Sequence, residues 1–290
     1  MQYGIYVPPC HDYADARTLA DLAQDAEQAG WDGFFLWDHV VMEWPDPVVD
    51  TWVVLTAVAM CTQRIRFGPT VTPVARRHPW KLARETVSLD RLSGGRLTLA
   101  VGLGITPHEG LNEPRDPKVR AEMLDEGLQV LTGLWQGQPF TFHGKHYDVQ
   151  EAVFLPAPLQ QPRIPIWCGG FWPNKAPFRR AARYDGVFPL GKGETGSLSP
   201  DDFRDLLGYI GQYRQTEAPF DVVCMNGTPG ADPARAREIV SGYAQAGVTW
   251  WLESINPWRF GWPGSAGGDW RSAWPLEAMR ERVLQGPPKI

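Results

Sequence analysis

The residues best suited to chemistry fall in short clusters spread over the whole chain: Trp37 Asp38 His39, Thr70 Val71 Thr72, Gly102 Leu103 Gly104, Cys168 Gly169 Gly170, Leu190 Gly191 Lys192 and Asn226 Gly227 Thr228. His39 is the sharpest candidate. An imidazole changes charge near neutral pH, so it can exchange a substrate proton or hydrogen-bond an oxygen of a bound molecule; filling or capping is the competing role. Asp38 can orient it, although neighbours on a strand point to opposite faces, which favours structural hydrogen bonding. Glu109, with His108, Asn112 and Glu113 nearby, can accept a proton or position an amine or hydroxyl, against the alternative of a solvated loop cluster. Gly169 and Gly170 permit either close backbone approach to a ligand or a tight strand-to-helix turn. Lys192, between Gly191 and Gly193, can reach a phosphate, and Gly227 with Thr228 can lend an amide and a hydroxyl to the same anion or cap a helix. Cys168 has no neighbouring base or thiol partner and reads as packing.

Residues this distant in sequence share a site only if the fold gathers them. Short apolar runs alternate with amphipathic ones along the chain. Strands are predicted at 3–7, 33–37, 65–72, 96–104, 164–168, 186–190, 220–225 and 248–252. Helices are predicted at 15–29, 51–60, 80–92, 117–135, 176–184, 201–215, 233–246 and 274–284. Eight β/α units fit a (β/α)8 TIM barrel, whose closure removes both sheet edges and whose strand ends collect at one mouth, where each cluster above falls. An open doubly wound sheet is the structural alternative, although no GxGxxG joins the first strand to its helix. The expected organisation is one barrel domain over 1–290 with excursions at 105–116 and 136–163. The second excursion carries a small hairpin near Phe140–Tyr147, placed to shield the mouth. Trp44 and Trp172 are the loop tryptophans most suited to wall a pocket.

Composition narrows the class. The 290 residues carry a formal charge of -5 with basic residues scattered among acids, which argues against a nucleic-acid groove. Cys10, Cys61, Cys168 and Cys224 lack metal-finger or paired spacing, so a reducing cytoplasm is the expected setting. No apolar run approaches a membrane span, and no compact His/Asp set recommends a metal.

The segment Thr70 Val71 Thr72 Pro73 Val74 Ala75 Arg76 Arg77 His78 Pro79 Trp80 Lys81 Leu82 Ala83 Arg84 Glu85 Thr86, continued by Asp90–Arg96 and Val101–Gly104, resembles the bacterial luciferase-like flavin-dependent oxidoreductases. Trp37 Asp38 His39, Leu124–Trp135, Ile166–Gly170 and Asp185 Gly186 extend the resemblance over nearly the whole chain. It implies a barrel that binds FMN or F420, with the ring near strand three against His39, Thr70, Val71, Gly102 and Gly104, and a recurring nonproline cis peptide there. The phosphate is then expected near Gly169, Gly170 and the later strand-end loops. The segment from Asp185 to Glu194, with Lys192, looks like the phosphate segment of F420-dependent sugar-phosphate dehydrogenases, as do His39, Trp44 and Glu109 on the substrate side. A sugar phosphate itself is not implied.

The resemblance implies hydride transfer between F420 and a small organic substrate, with His39 or Glu109 handling the proton. Reduced FMN with molecular oxygen, supplied by a separate flavin reductase, is the alternative. A non-catalytic flavin-binding or sensory barrel stands in a different class, and a metal-dependent hydrolase is weaker. A homodimer is compatible with the exposed helices expected.

Overall fold

Strand β1 (Gln2–Val7) is followed by Pro8 and Pro9, and α1 (Ala16–Gln28) begins where the Asp15 side chain accepts the Thr18 amide. The alternation continues through β2 (Gly33–Leu36), α2 (Thr51–Cys61), β3 (Arg66–Pro69), β4 (Thr72–Pro73), α3 (Pro79–Leu92), β5 (Leu99–Gly102) and α4 (Pro117–Leu134). A hairpin of β6 (Phe140–His143) and β7 (Asp148–Ala152) intervenes before β8 (Ile166–Phe171), α5 (Lys175–Ala181), β9 (Gly186–Leu190) and α6 (Pro200–Gly211). The chain finishes with β10 (Asp221–Asn226), α7 (Pro233–Gln245), β11 (Trp250–Ser254) and α8 (Leu276–Leu284). The computed structural model describes residues 1–42, 46–104, 111–193, 196–264, 269 and 271–290.

The large sheet has the order β3-β2-β1-β11-β10-β9-β8-β5-β4 with parallel pairing throughout. Its ends meet. Phe67 of β3 bridges Leu97: the Phe67 amide donates to Arg96 O at 3.2 Å and the Thr98 amide to Phe67 O at 2.9 Å. β3 and β4 are therefore two lengths of one barrel strand, interrupted at the cis peptide Thr70–Val71. The ring is closed, which sets aside the open sheet.

Alternation along the strands divides the core in two. Leu, Val and Phe side chains facing outward pack beneath the helices, whereas Tyr6, Phe35, Trp167, Phe188, Trp250 and their neighbours fill the barrel axis. Glycines make room for them. A Cβ on Gly33 would lie 2.5 Å from Phe35 and 2.8 Å from Trp250, and one on Gly186 would lie 2.5 Å from Trp167. The repeated order Gly4-x-Tyr6, Gly33-x-Phe35 and Gly186-x-Phe188 thus seats a large ring one layer above a missing side chain.

Helix carboxylates fasten the connecting segments. Glu27 accepts the amides of Gln63, Arg64 and Ile65, Asp90 accepts those of Leu159 and Gln160, and Glu126 accepts those of Lys145, His146 and Tyr147. Burial opposes ionisation of Glu27 and Glu126, yet the converging amides outweigh it and hold both below the usual carboxylate range. The hairpin consequently lies along α4, with Tyr147 edge-on to Trp80 of α3 at 6.3 Å. It does not line the mouth cavity described below, contrary to the shielding role expected for it. No described helix is long and apolar enough to cross a membrane.

Candidate active site

Asp38 follows β2 and is buried. Its carboxylate accepts Thr72 Oγ1 at 2.6 Å, Trp52 Nε1 at 3.3 Å and the Arg77 guanidinium at 3.0 Å, tying the second strand end to the third and to α2. These partners engage both oxygens, so Asp38 braces the mouth. Thr70 is likewise buried and donates to Leu36 O at 3.2 Å. His39, half-buried one residue beyond Asp38, lies with its ring 5.6 Å from that of Trp37.

On the strand-three side, Val71 projects over two missing side chains. A Cβ on Gly102 would stand 2.7 Å from Val71 Cγ2, and one on Gly169 would stand 2.8 Å from Val71 Cγ1. Val71, Gly102 and Gly169 therefore interlock across three barrel strands. Beside them Gly104 adopts φ +76°, where its missing Cβ would meet Pro73 at 3.0 Å, and Arg76 Nε pairs with Glu113 at 2.7 Å. Arg120 of α4 reaches the same edge. It is 7% exposed and donates from Nη1 to Leu103 O at 2.9 Å, while its buried Nε has no hydrogen-bond partner among the described residues. Burial, then the charge of Arg76, lowers the Arg120 pKa, while the Glu113 carboxylate opposes the shift.

A cavity of about 580 Å³ opens on the rest of the mouth. Its floor includes Tyr6, Leu190 and Met225, and one wall is Trp37 stacked on Trp258 at 6.4 Å and 10°. Lys192 and the glycines beside it border the cavity. The volume and the mixture of apolar walls with few polar groups suit an organic ligand.

The strand-seven and strand-eight side is different. Glu253, wholly buried, accepts the Thr228 amide and hydroxyl, each at 2.8 Å, and Trp251 Nε1 at 2.9 Å, and pairs with Arg259 at 2.5 Å and Arg282 at 3.2 Å. Thr228 thus turns its donors inward to Glu253, and Gly227 lies under the Arg259 guanidinium. Both line a separate cavity of about 410 Å³, away from Lys192, so they do not join the anion set expected for them. Gly170 also departs from that set: it lies within β8, and its missing Cβ would meet Pro177 at 2.3 Å, so its smallness admits α5. The pair Gly169 Gly170 is strand backbone, with the turn falling later at Trp172–Pro173.

Glu109, His108, Trp44 and Glu194 lie outside the described residues. Trp172 is buried against Phe178 and under the Lys175 ammonium, away from the cavity. Burial pushes the Cys168 thiol up to about 12, consistent with packing. Sequence reasoning missed Arg120, Tyr6 and Asn174. An arginine in an otherwise amphipathic helix carries no local signal, whereas Trp258 was among the tryptophans suited to wall a pocket, ranked behind Trp44 and Trp172. Among the described residues, no group of three or more His, Cys, Asp or Glu can hold a metal.

Residues 1–210 match the family described as luciferase-like monooxygenase. An uncharacterized protein of Mycobacterium bovis is 31% identical over 237 residues, 72% of this chain and 78% of that protein. An F420-dependent glucose-6-phosphate dehydrogenase of Nakamurella multipartita is 35% identical over 197 residues, 65% of this chain but 56% of the relative. Among solved structures, the coenzyme F420 dependent tetrahydromethanopterin reductase of Methanopyrus kandleri superposes with a TM-score of 0.72 at 18% identity, covering 98% of this chain and 96% of that one. The oxygenating constituent of 3,6-diketocamphane monooxygenase of Pseudomonas putida, in complex with FMN, gives 0.64 at 18% identity, covering 83% and 71%. With a family match spanning most of its length and a mouth built at the carboxyl ends of a closed parallel barrel, the chain belongs to the luciferase-like monooxygenase family.

Proposed function

We propose that the protein is an oxidoreductase using F420 for hydride transfer to or from a small organic substrate. The observation that carries this is the mouth cavity itself: about 580 Å³, apolar at its floor, aromatic at its wall and bordered by Lys192. The F420-dependent relative supports the choice of cofactor.

The residues present fit such a group. Val71, backed by Gly102 and Gly169, offers an apolar ridge for a planar ring, and the unpartnered Nε of Arg120 beside Gly104 and the exposed Lys192 offer charge to its anionic tail. When bound, F420 supplies a ring carbon that takes or gives a hydride. His39 holds or receives the accompanying substrate proton. Asp38 fixes the strand end that carries His39, through Thr72, Trp52 and Arg77. Tyr6, Leu190 and Met225 keep water from the reacting face.

Equilibrium titration with F420 and with FMN, followed by absorbance or fluorescence, tests the proposal. Saturable binding of F420, tighter than FMN, is expected. Tighter FMN binding would favour a monooxygenase that combines reduced flavin with oxygen, a possibility motivated by the family's description. Binding of neither overturns both.

A further inference from the structure

We infer that the outer part of the mouth cavity seats a neutral, flat, largely apolar substrate with a single carbonyl or hydroxyl oxygen, held between Trp258 and Phe171 with that oxygen on the Asn174 amide. This rests on the oxidoreductase function proposed above and names the substrate class of the same site.

The largest aromatic rings of the barrel axis and strands are hidden: Trp167, Trp250 and Trp251 are buried to within 1%. Of the exposed aromatic rings Trp80, Phe171, Tyr213 and Trp258, it is Trp258 and Phe171, at 40% and 38% exposure, that line the cavity. They reach it from β11 and β8, with β9 and β10 between, so their apolar surfaces enclose a space and are not neighbours covering each other. Leaving such area in water is unfavourable, and a ligand that covers it recovers the difference.

The Trp258 ring is also fixed before any ligand arrives. It stacks on Trp37 and meets Trp262 edge-on at 5.6 Å and 69°. Its short helix, Pro257–Phe260, is capped by Asn256 Oδ1 accepting the Arg259 amide at 3.1 Å, and Arg259 donates to Ser254 O at 2.8 Å. A rigid wall lowers the ordering cost of binding.

Polar side chains among the described lining residues are few. The Asn256 amide is committed, since its Nδ2 donates to Ser254 Oγ at 2.7 Å. Asn174 is not: it stands at the N-cap of α5, where asparagine ordinarily accepts a helix amide, yet its side chain makes no cap bond. One amide can donate to a carbonyl or accept from a hydroxyl. Lys192 is the one charged lining residue among those described. A polyhydroxylated or phosphorylated substrate would leave most of its hydroxyls without partners on this surface, at the desolvation cost of each.

The test is titration of the F420-saturated protein with acetophenone, ethylbenzene and glucose 6-phosphate, read by tryptophan fluorescence. Acetophenone should bind saturably and more tightly than glucose 6-phosphate. Trp258→Ala and Phe171→Ala should each weaken it roughly tenfold, with Trp258→Phe restoring most of the loss. Asn174→Ala, at an exposed position that does not threaten folding, should weaken acetophenone about fivefold and leave ethylbenzene unchanged. Preference for glucose 6-phosphate, or indifference of acetophenone affinity to all of these variants, overturns the inference. F420 is titrated separately: if it fails to bind, the cofactor assignment falls, while acetophenone titration of the cofactor-free chain still decides the subsite.

Discussion

Two arginine clusters flank the same barrel mouth and are built on opposite principles. Around Glu253, two guanidiniums, a threonine and an indole converge on one buried carboxylate. Around Glu113, Arg76 has its carboxylate, while Arg120 is buried beside it with a donor lacking any described partner. A buried charge with a complete set of internal partners holds elements together; one left incomplete is an opening for an acceptor from outside. The strand-seven and strand-eight edge is thereby structural, and on the function proposed above the strand-three and strand-four edge is the one that would receive an anion.

The largest effect that can break this contrast comes from Glu253→Ala. It strands two positive charges and should cost about 3–5 kcal/mol in urea unfolding, whereas a loss below about 1 kcal/mol would remove the structural assignment. On the open side, His39→Ala should lower turnover about 10²-fold and leave F420 affinity within about threefold, measured by steady-state kinetics beside binding. Arg120→Met should weaken F420 roughly tenfold, yet leave unfolding free energy within about 1 kcal/mol, since it removes a buried donor with no partner among the described residues. Equal damage to folding from Arg120→Met and Glu253→Ala would erase the distinction.

Gly102→Ala sharpens it further. The added methyl meets Val71 and should cost about 1–2 kcal/mol, and Val71→Ala in the same chain should recover most of it if the two interlock.

The smallest effect concerns Glu126, away from the mouth. Burial raises its pKa, but the amides of His146, Lys145 and Tyr147 and the charge of His146 lower it further, so the folded value lies below the unfolded one. Its stabilisation is full above the ordinary carboxylate range and is lost as pH falls through the folded value. Hydrogen-exchange protection at residues 145–147 should therefore persist through about pH 5 and decline below about pH 4, whereas Glu126→Gln should reduce protection at neutral pH and flatten that decline.

Most of the scaffold was legible in the sequence. Residues 33–37 were predicted as strand and Gly33–Leu36 form it; residues 117–135 were predicted as helix and Pro117–Leu134 form it. Apolar periodicity decides such elements locally. The miss at β8 was of another kind: the strand was ended at Cys168 because two glycines ordinarily mark a turn, yet it runs on to Phe171. Those glycines are required by Val71 and Pro177, side chains from distant segments that no local pattern announces. Lys192, which borders the cavity, was visible by residue type. Glu253 was not, because the last strand was ended at Leu252, one residue short of the acid that anchors this side of the mouth.

The packed aromatic axis has a kinetic corollary. With Phe35, Trp167, Phe188 and Trp250 stoppering the barrel below, the described residues leave no passage along the barrel axis beneath the mouth. On the function proposed above, reactant and product would share the open side, and a spent molecule lingering against the Trp258 wall would hold up the next arrival.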